Sequence, residues 1–462
     1  MPATTLTPAI REQIARLGKA DIMVGIPSFK NAATIGYVVR AAHAGLVQYF
    51  PELKPVLINS DAGSPDGTQR VVVETEPPDY VESILLVRPT NRLDRVTLTY
   101  PEIDGVGGKG AALRTIFEIA AALEVQALVV VDSDLRSIVP EWIELLAGPI
   151  LKGGYDFTTP LYARYKYDGT ITNTVTYPLT RSLYGHRIRQ PIGGDFGVSG
   201  DLVRHYLELD DWTDDISKFG IDIWMTTSAL IGGYAVCQTR LGAKVHDPKD
   251  PGADLGPMFR QVVGTILDLA ATHPEAWMGV RGSHDTPVYG FERIIDPPPL
   301  EVNAIRLLSE FHTGSLTLAD TWRAMLEPSN LAMVLALGEE AGTLADSAAR
   351  KLGLTGEGSA STVGTLEMAE TLSAFTFPDD LWARVIYDLI IATRRGALDT
   401  GQMVAALVPI YFGRVASFVI ENRHLTTADA EERVERQARQ FELLKPYLVD
   451  RWRADVEGEA GR

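Results

Sequence analysis

One stretch decides the predicted fold: Ala127-Leu128-Val129-Val130-Val131-Asp132-Ser133-Asp134. Its apolar, mostly β-branched run has the length and composition of a strand buried on both faces of a parallel sheet. Two carboxylates follow, and in open α/β sheets ligands bind beyond the carboxyl ends of the strands. Carboxylates this close repel each other unless a cation lies beside them, which favours a hard divalent metal with phosphate oxygens. The same residues also fit a helix capped by Asp134, so this motif alone leaves both interpretations open.

Composition narrows the class of protein. A chain of 462 residues is expected to form two domains, or one large domain with an appendage. Its net charge of -17 disfavours a nucleic-acid partner, because phosphate backbones are bound by clustered Lys and Arg. The single Cys237 excludes an intramolecular disulfide and a multi-cysteine metal site. No apolar run approaches the roughly 20 residues that span a bilayer, so we expect a cytoplasmic protein without a membrane span.

Strands alternate with helices through the first part of the chain. Helices of this length between successive strands predict an α/β fold with a doubly wound, mostly parallel sheet. Pro297-Pro298-Pro299 is the best linker candidate, and almost everything beyond it has a helical pattern. We therefore predict an N-terminal helix within residues 1–19, an α/β domain over 20–295 and a helical accessory domain over 300–462. The predicted strands are 21–26, 54–59, 83–87, 127–131, 156–162 and 234–242.

Polar residues follow the predicted strands. The Pro27-Ser28 turn could hold a nucleobase or ribose, although an ordinary loop has the same composition. Asp61 could accept hydrogen bonds from a base or ribose, whereas Asp66 has the character of a turn residue. Gly107-Gly108-Lys109-Gly110 places free backbone N–H groups and one ammonium at a helix N-terminus, which is an anion site on physical grounds. Its spacing fits neither a Walker loop nor G-x-G-x-x-G, so ATPase and dinucleotide functions are disfavoured.

Later residues offer further candidates. His246 follows the last strand of this region, and an imidazole there could complete a metal shell begun by Asp134, although a lone His is more often a surface residue. Asp195 and Asp222 could hold sugar hydroxyls, or equally act as turn or helix acids. Four cations offer charge for an anionic acceptor, although a solvated face would carry the same residues. They are Arg164, Lys166, Arg187 and Arg189.

The order of these segments resembles a known family. The segments are P-S-F, D-A-G-S-P-D-G-T, G-K-G, D-S-D, P-I-G-G-D, G-I-D and H-D-P-K-D-P-G-A-D-L-G-P-M-F-R-Q-V. Together they resemble the retaining nucleotide-sugar glycosyltransferases that make glucosyl-3-phosphoglycerate or glucosylglycerate, and more distantly mannosylglycerate synthase. The resemblance covers about residues 20–275, and P-I-G-G-D and residues 246–262 are its most specific parts.

The resemblance implies an A-type glycosyltransferase fold and a set of site residues. The nucleotide would be held by Pro27, Ser28, Asp61, Lys109 and Asp132. Mg²⁺ or Mn²⁺ would be bound by Asp134 and His246 together with the diphosphate. The donor sugar and acceptor would be lined by Gly193, Gly194, Asp195, Asp222, Arg164 and Thr172, with Asp195 and Asp222 as the catalytic residues. Retention would need no carboxylate nucleophile, because the acceptor hydroxyl would attack on the face of the leaving phosphate.

Two departures from the family pattern affect the substrate. Where the phosphoglycerate enzymes carry G-R-V-T-E-L, this chain has Gly169-Thr170-Ile171-Thr172-Asn173-Thr174. Thr170 thus stands in place of an Arg that would bind a phosphate group. We therefore expect transfer to glycerate or a similar small anionic hydroxy acid, with 3-phosphoglycerate or a saccharide as alternatives. Asp195 and Asp222 are shorter than the family's Glu residues, so the sugar, glucose or mannose, stays open. The donor base, UDP or GDP, stays open as well.

Two other classes of function remain. A nucleotidyltransferase also uses a doubly wound sheet, Mg²⁺ and paired acids, but it expects a glycine-rich basic loop after the first strand, which Gly25–Lys30 lacks. A sugar-nucleotide sensor without catalysis is conceivable, although intact Asp134 and His246 argue against it. The long helical region is larger than a minimal enzyme of this kind needs, and we expect it either to support a homodimer or to cover the acceptor site.

Overall fold

The computed structural model describes residues 4–75, 94–99, 108–245, 255–292, 297–354 and 364–460. In chain order the strands are β1 (Ile22–Ser28), β2 (Pro55–Asp61), β3 (Asp94–Thr99), β4 (Ala127–Val130), β5 (Phe157–Ala163), β6 (His186–Arg187), β7 (Phe196–Ser199), β8 (Val236–Ala243), β9 (His284–Asp285) and β10 (Val288–Tyr289). The helices are α1 (Pro8–Leu17), α2 (Ile35–Tyr49), α3 (Thr68–Glu74), α4 (Lys109–Ala122), α5 (Glu141–Gly153), α6 (Tyr177–Tyr184), α7 (Gly200–Glu208), α8 (Ile221–Ile231), α9 (Leu255–Thr272), α10 (Pro274–Met278), α11 (Ala304–Thr317), α12 (Ala319–Met325), α13 (Pro328–Lys351), α14 (Thr365–Thr371), α15 (Asp379–Arg395), α16 (Thr400–Glu421) and α17 (Thr427–Ala460). Two π-helical turns, Thr172–Thr176 and Ile216–Gly220, precede α6 and α8.

The chain divides into two units. The first takes Met1–Ala163, Ile188–Pro248 and Thr286–Pro297, and the second takes Arg164–Arg187, Lys249–Asp285 and Pro298–Arg462. The predicted domains, 20–295 and 300–462, differ from this division because two earlier segments belong with the C-terminal helices. Within the second unit, for example, Arg181 of α6 is ion-paired with Glu435 and Glu442 of α17.

An eight-stranded sheet forms the centre of the first unit, in the order β10-β8-β5-β7-β4-β1-β2-β3. Its strands pair in parallel, except that β7 runs antiparallel to β4 and to β5. Every residue of β1, β2 and β4 is buried, as the continuous apolar runs predict. The predicted fold class, a mostly parallel doubly wound sheet with a helical C-terminal region, is confirmed.

The strand β3 was not predicted from the sequence. The predicted strand 83–87 lies outside the described residues. β3 (Asp94–Thr99) pairs in parallel with β2 along its whole length. Its sequence D-R-V-T-L-T alternates polar and apolar residues, a pattern of a strand at the edge of a sheet rather than of a buried central one.

The helix α16 changes one expectation from the sequence. Among the described residues it is the one helix long and apolar enough to cross a membrane, although 78% of its most apolar window is buried within the protein. The expectation that no apolar run reaches this length was therefore wrong. A helix buried on most sides in a helical unit is apolar all round because, as in a membrane span, few of its side chains contact water.

Candidate active site

The predicted site residues of the first unit gather at one edge of the sheet, the edge formed by the carboxyl ends of its parallel strands. Ser28 ends β1, Asp61 ends β2, and Asp132 lies two residues beyond β4. Asp195 directly precedes β7, whose amino end lies at this edge because the strand is antiparallel to β4. Lys244 follows β8 at the same edge. The parallel topology thus brings together side chains that lie up to about two hundred residues apart in the sequence.

The carboxylate of Asp61 is fully engaged by protein donors. It accepts hydrogen bonds from Ser28 Oγ at 2.8 Å, from Ser64 N at 2.7 Å, from Ser64 Oγ at 2.6 Å and from Gln69 Nε2 at 2.9 Å. These bonds join the ends of β1 and β2 to the turn before α3. Asp66 accepts from the backbone N–H and the hydroxyl of Thr68, as a turn residue does. The binding of a nucleotide by Pro27, Ser28 and Asp61 stays a prediction.

Five charged residues form what we call the edge cluster: Lys109, Asp132, Asp195, Asp222 and Lys244. Asp132 lies between the two lysines, with its Oδ1 2.8 Å from Lys109 Nζ and its Oδ2 2.7 Å from Lys244 Nζ. Lys109 Nζ also lies 3.0 Å from Asp222 Oδ1, and Lys244 Nζ lies 2.9 Å from Asp195 Oδ2. The side chains are mostly buried, so these pairs are weakly screened by solvent.

Burial and charge oppose each other in the edge cluster. Burial favours a raised pKa for the Asp132 carboxyl, but the two ammonium groups outweigh it and hold that pKa far below its usual range. Burial would lower the pKa of Lys109, but Asp132 and Asp222 outweigh it and raise that pKa. For Asp195 and Asp222 burial dominates and raises the pKa of both carboxyls, and the charge of Asp132 adds to this effect. Three carboxyl groups share two ammonium groups, so one carboxyl of the cluster is left with a weaker counter-charge.

The P-I-G-G-D segment shapes this cluster from its backbone. Gly194 has φ +89°, which a side chain rarely adopts, and a Cβ there would overlap Asp132 Oδ2. The carbonyl oxygen of Gly193 accepts a hydrogen bond from Lys244 Nζ at 2.8 Å. Asp195 Oδ1 accepts from the backbone N–H of Asp132 at 2.8 Å. The contacts of Gly193 and Gly194 in the structure are thus with the edge cluster, and their contact with a sugar stays a prediction.

The glycines before α4 have a packing reason beside the predicted anion site. Gly107 lies outside the described residues. A Cβ on Gly110 would overlap the carbonyl oxygen of Ile216, so the helix start can be reached by the turn Ile216–Gly220 only because Gly110 lacks a side chain. The ammonium of Lys109, the one cation of this segment, is held by Asp132 and Asp222. Its contact with a nucleotide stays a prediction.

The turn that carries Asp134 is fixed from two sides. Ser133 accepts a hydrogen bond from Thr34 Oγ1 at its carbonyl oxygen, 2.8 Å away, and its own hydroxyl donates to Asn31 Oδ1 at 2.9 Å. On the other side, Val245 N donates to Ser137 Oγ at 3.0 Å, and Arg136 N donates to the carbonyl oxygen of Val245 at 2.9 Å. His246 itself lies outside the described residues. The residue before it is nonetheless bonded to the turn that follows Asp134.

Arg164 and Thr172 belong to the second unit. Arg164 Nη1 lies 3.4 Å from Asp168 Oδ2, and Thr172 is buried at the start of a π-helical turn. Two of the other predicted cations are engaged there as well: Lys166 donates to three backbone carbonyls just beyond α16, and Arg187 pairs with Asp285. A role of Arg164 and Thr172 toward an acceptor stays a prediction.

No protein-family profile matches the chain. A curated protein, glucosyl-3-phosphoglycerate synthase of Petrotoga mobilis, is 24% identical over 281 residues, which are 56% of this chain and 76% of the relative. This chain is similar to the glucosyl-3-phosphoglycerate synthases. The resemblance to enzymes that make glucosyl-3-phosphoglycerate is thereby confirmed, whereas retention of the anomeric configuration stays a prediction.

Solved structures of another glucosyl-3-phosphoglycerate synthase are also similar to this chain, at a slightly lower sequence identity. The Mycobacterium tuberculosis protein with Mn²⁺, UDP and phosphoglyceric acid is 22% identical over 58% of this chain and 84% of its own, with a TM-score of 0.39. The same protein with Mg²⁺ and UDP is 22% identical over 65% of this chain and 96% of its own, with a TM-score of 0.40.

The surroundings of Asp134 would suit a hard metal ion. Asp134 is half-buried, and its carboxylate makes no hydrogen bond or ion pair with the part of the chain that the structure describes. Asp132, by contrast, has both oxygens occupied by lysines. Within the same described ranges, no three His, Cys, Asp or Glu side chains form a metal site. Mg²⁺ is commonly held by one or two carboxylates with substrate phosphates, so Asp134 suits it without such a group.

Sequence reasoning missed two residues of the site. Lys244 lies two residues before His246, and Tyr162 lies in the predicted strand 156–162. The hydroxyl of Tyr162 donates to Asp195 Oδ2, which Lys244 also contacts. Their position at the carboxyl ends of β5 and β8 is a signal that could have found them. Nothing in their spacing, however, relates either residue to Asp132 or Asp195, since only the strand order β8-β5-β7-β4 makes them neighbours.

Proposed function

We propose that this chain is a metal-dependent, retaining glycosyltransferase that moves a hexose from a nucleoside diphosphate to glycerate or a similar small hydroxy acid. The observation that carries the proposal lies at the carboxyl ends of the strands, where the carboxylate of Asp134 has no partner among the described residues while Asp132 is paired with Lys109 and Lys244. The similarity to a glucosyl-3-phosphoglycerate synthase supports glucose as the hexose. We further propose that it works as a cytoplasmic homodimer.

Donor binding is proposed to use Asp134 and His246 as the metal ligands. A bound Mg²⁺ or Mn²⁺ would act as a Lewis acid for the departing nucleoside diphosphate. The position of Val245 beside Ser137 supports this pairing, because it brings the chain that leads into His246 next to the turn of Asp134. Ser28 and Asp61 lie at the neighbouring strand ends, where a base and ribose would fit. Lys109 can reach the donor if it exchanges one of its two carboxylate partners for a phosphate oxygen.

The surroundings of Thr170 bear on whether the acceptor carries a phosphate group. Its side chain is 2% exposed, and its hydroxyl oxygen lies 2.6 Å from the hydroxyl oxygen of Tyr411, with which it shares a hydrogen bond within the second unit. This position therefore presents no cation, whereas the phosphoglycerate enzymes have Arg in the corresponding place. The absence of that cation supports an acceptor without a phosphate. The name of the curated relative favours the alternative, 3-phosphoglycerate.

The two predicted catalytic acids have different surroundings. Asp195 is fully buried and receives hydrogen bonds from Tyr162, Lys244 and the backbone N–H of Asp132, so neither of its oxygens is available as a nucleophile. Asp222 lies in the first turn of α8 and contacts Lys109. Asp222 is therefore the better candidate to hold a hydroxyl of the sugar or acceptor. This arrangement supports retention without a carboxylate nucleophile.

One assay tests the proposal. The protein is incubated with Mg²⁺ or Mn²⁺, UDP- or GDP-linked glucose or mannose, and either glycerate or 3-phosphoglycerate, and the released nucleotide and the glycosylated product are measured. We expect turnover with glycerate to exceed turnover with 3-phosphoglycerate, and we expect the anomeric configuration of the donor to be kept. Release of pyrophosphate would identify a nucleotidyltransferase instead. Tight binding of a sugar nucleotide without turnover would identify a sensor.

A metal arm of the same assay tests the ligand set. EDTA should abolish turnover, and Asp134→Asn should weaken Mn²⁺ binding in the presence of UDP by roughly tenfold or more, as read from the free Mn²⁺ signal in electron paramagnetic resonance. Asp201→Asn is the matched control, because Asp201 is exposed in the first turn of α7, which follows the other end of β7. Equal Mn²⁺ affinity in the Asp134 variant and its control would show that the metal is held elsewhere.

A further inference from the structure

Lys244 is the most enclosed cation of the edge cluster. Its side chain is 5% exposed, and among the described residues its ammonium donates to Asp132 Oδ2 at 2.7 Å, to Gly193 O at 2.8 Å and to Asp195 Oδ2 at 2.9 Å. An ammonium has three N–H donors. All three are therefore used within the protein, so a phosphate oxygen could bind Lys244 only by displacing one of these acceptors.

The three acceptors come from different parts of the sheet. Lys244 follows β8, Asp132 follows β4, and Gly193 and Asp195 precede β7. Two strands, β5 and β7, separate β8 from β4 in the sheet. With neighbouring strands about 4.8 Å apart, the long side chain of Lys244 reaches from the end of β8 to residues beside β4 and β7, neither of which is a direct neighbour of β8 in the sheet.

Other contacts reinforce the hydrogen bonds by which Lys244 tethers Asp132 and Asp195. Asp195 Oδ2 also accepts from Tyr162, and the ammonium of Lys244 lies 5.3 Å from the centre of the Tyr162 ring. Asp195 Oδ1 holds the backbone N–H of Asp132. Side chain and backbone of Asp132 are thus both fixed, and with them the start of the turn that leads to Asp134.

We propose that Lys244 is a positioning residue, which holds Asp132 and Asp195 in the arrangement that the transfer step requires without contacting the donor. The inference rests on the proposed function. A residue that only aligns other groups affects the chemical step more than substrate binding. A ligand of the diphosphate would affect donor binding first.

The test compares steady-state kinetics of Lys244→Met and Lys244→Arg with those of the wild type. In the Met variant we expect kcat to fall at least tenfold while the KM for the donor changes less than threefold. Arg keeps the charge and can donate to two carboxylates at once, so it should recover part of the lost kcat. Lys54→Met is the matched control with wild-type kinetics, because Lys54 is exposed just before β2, at the opposite edge of the sheet. A donor KM raised tenfold at unchanged kcat would make Lys244 a phosphate ligand and overturn the proposal.

A second measurement does not depend on turnover. Melting temperatures are determined for Lys244→Gln, which keeps two N–H donors, for Asp195→Asn and for the double variant. If Lys244 tethers Asp195, the double variant should lose clearly less than the sum of the two single losses. Strictly additive losses would overturn the tether. If the wild type turns over no sugar nucleotide, the proposed function fails, whereas this cycle still decides whether the tether exists.

Discussion

At the scale of single residues, burial changes the acid–base behaviour of Lys445. Its side chain is 5% exposed, and its ammonium donates to the carbonyl oxygens of Val280 at 2.8 Å and Leu183 at 3.2 Å. Burial lowers the pKa of Lys445 to about 8, although the charge of Glu442 opposes the shift. The residue accordingly loses its proton in the folded protein at a lower pH than in the unfolded chain.

The sign of the resulting pH dependence follows from proton binding. Between pH 8 and about 10.4 the unfolded chain binds more protons at this lysine than the folded protein does, so the free energy of unfolding rises with pH in that window. We expect the wild type to gain on the order of 1 kcal/mol relative to Lys445→Met as pH rises from 7.5 to 10. Urea denaturation of both proteins at each pH measures the difference, in which the titration of other groups cancels. A difference that stays constant or shrinks with pH would contradict the assignment.

At the scale of secondary-structure elements, the start of α4 depends on a close approach of backbone to backbone. The turn Ile216–Gly220 reaches Gly110 so closely that a side chain there has no room. Within this turn Lys218 has the non-helical angles φ -110° and ψ -126°. The contact brings Lys109 next to Asp222, which follows the turn by two residues. A change at Gly110 should therefore affect both the packing of α4 and the Lys109–Asp222 pair.

Gly110→Ala tests this contact. Overlap with the rigid carbonyl of Ile216 should force the turn to move, and overpacking of this kind costs about 1–3 kcal/mol in the free energy of unfolding. Gly148→Ala in α5 is the matched control, since its new Cβ would meet only the flexible carboxyl end of Glu144. Alanine is favoured over glycine in a helix, so the control should be neutral or slightly stabilising. Equal urea midpoints for the two variants would show that the approach is not tight.

At the scale of the whole molecule, the second unit is assembled from three separate parts of the chain. Residues 164–187 carry Arg181, whose guanidinium is 3% exposed and pairs with Glu435 and Glu442. The same segment carries Lys166, whose ammonium satisfies backbone carbonyls of residues 422, 423 and 425 beyond α16. Trp277, from the segment before β9, packs edge-on against Trp452. These contacts join the early segments to the C-terminal helices.

Removal of the C-terminal helices tests this division. A chain ending at residue 299 would keep the whole domain predicted from the sequence over 20–295, but Arg181, Lys166 and Trp277 would lose their partners. We expect this fragment to lose its sharp thermal transition and to bind the dye ANS several-fold more strongly than the full chain, because buried apolar and charged groups are exposed. A fragment with a cooperative transition and no added dye binding would favour the predicted boundary instead.

The sequence by itself determined the doubly wound sheet and the placement of Ser28, Asp61, Asp132 and Asp134 at the carboxyl ends of its parallel strands. Both follow from local patterns: continuous apolar runs make buried strands, and polar residues directly after them must lie at the carboxyl ends. Similarity to the glucosyl-3-phosphoglycerate synthases was likewise carried by short local motifs.

Only the tertiary structure decided which charges meet. The antiparallel β7 brings Asp195 to Asp132, and the strand order brings Lys244 to both, so Asp132 is paired with lysines while Asp134 has no partner within the described part of the chain. Tertiary structure also decided that residues 164–187 and 249–285 belong with the C-terminal helices. Contacts between residues far apart in the chain depend on how elements pack. Hydrophobic periodicity within one element does not indicate which other elements will lie beside it.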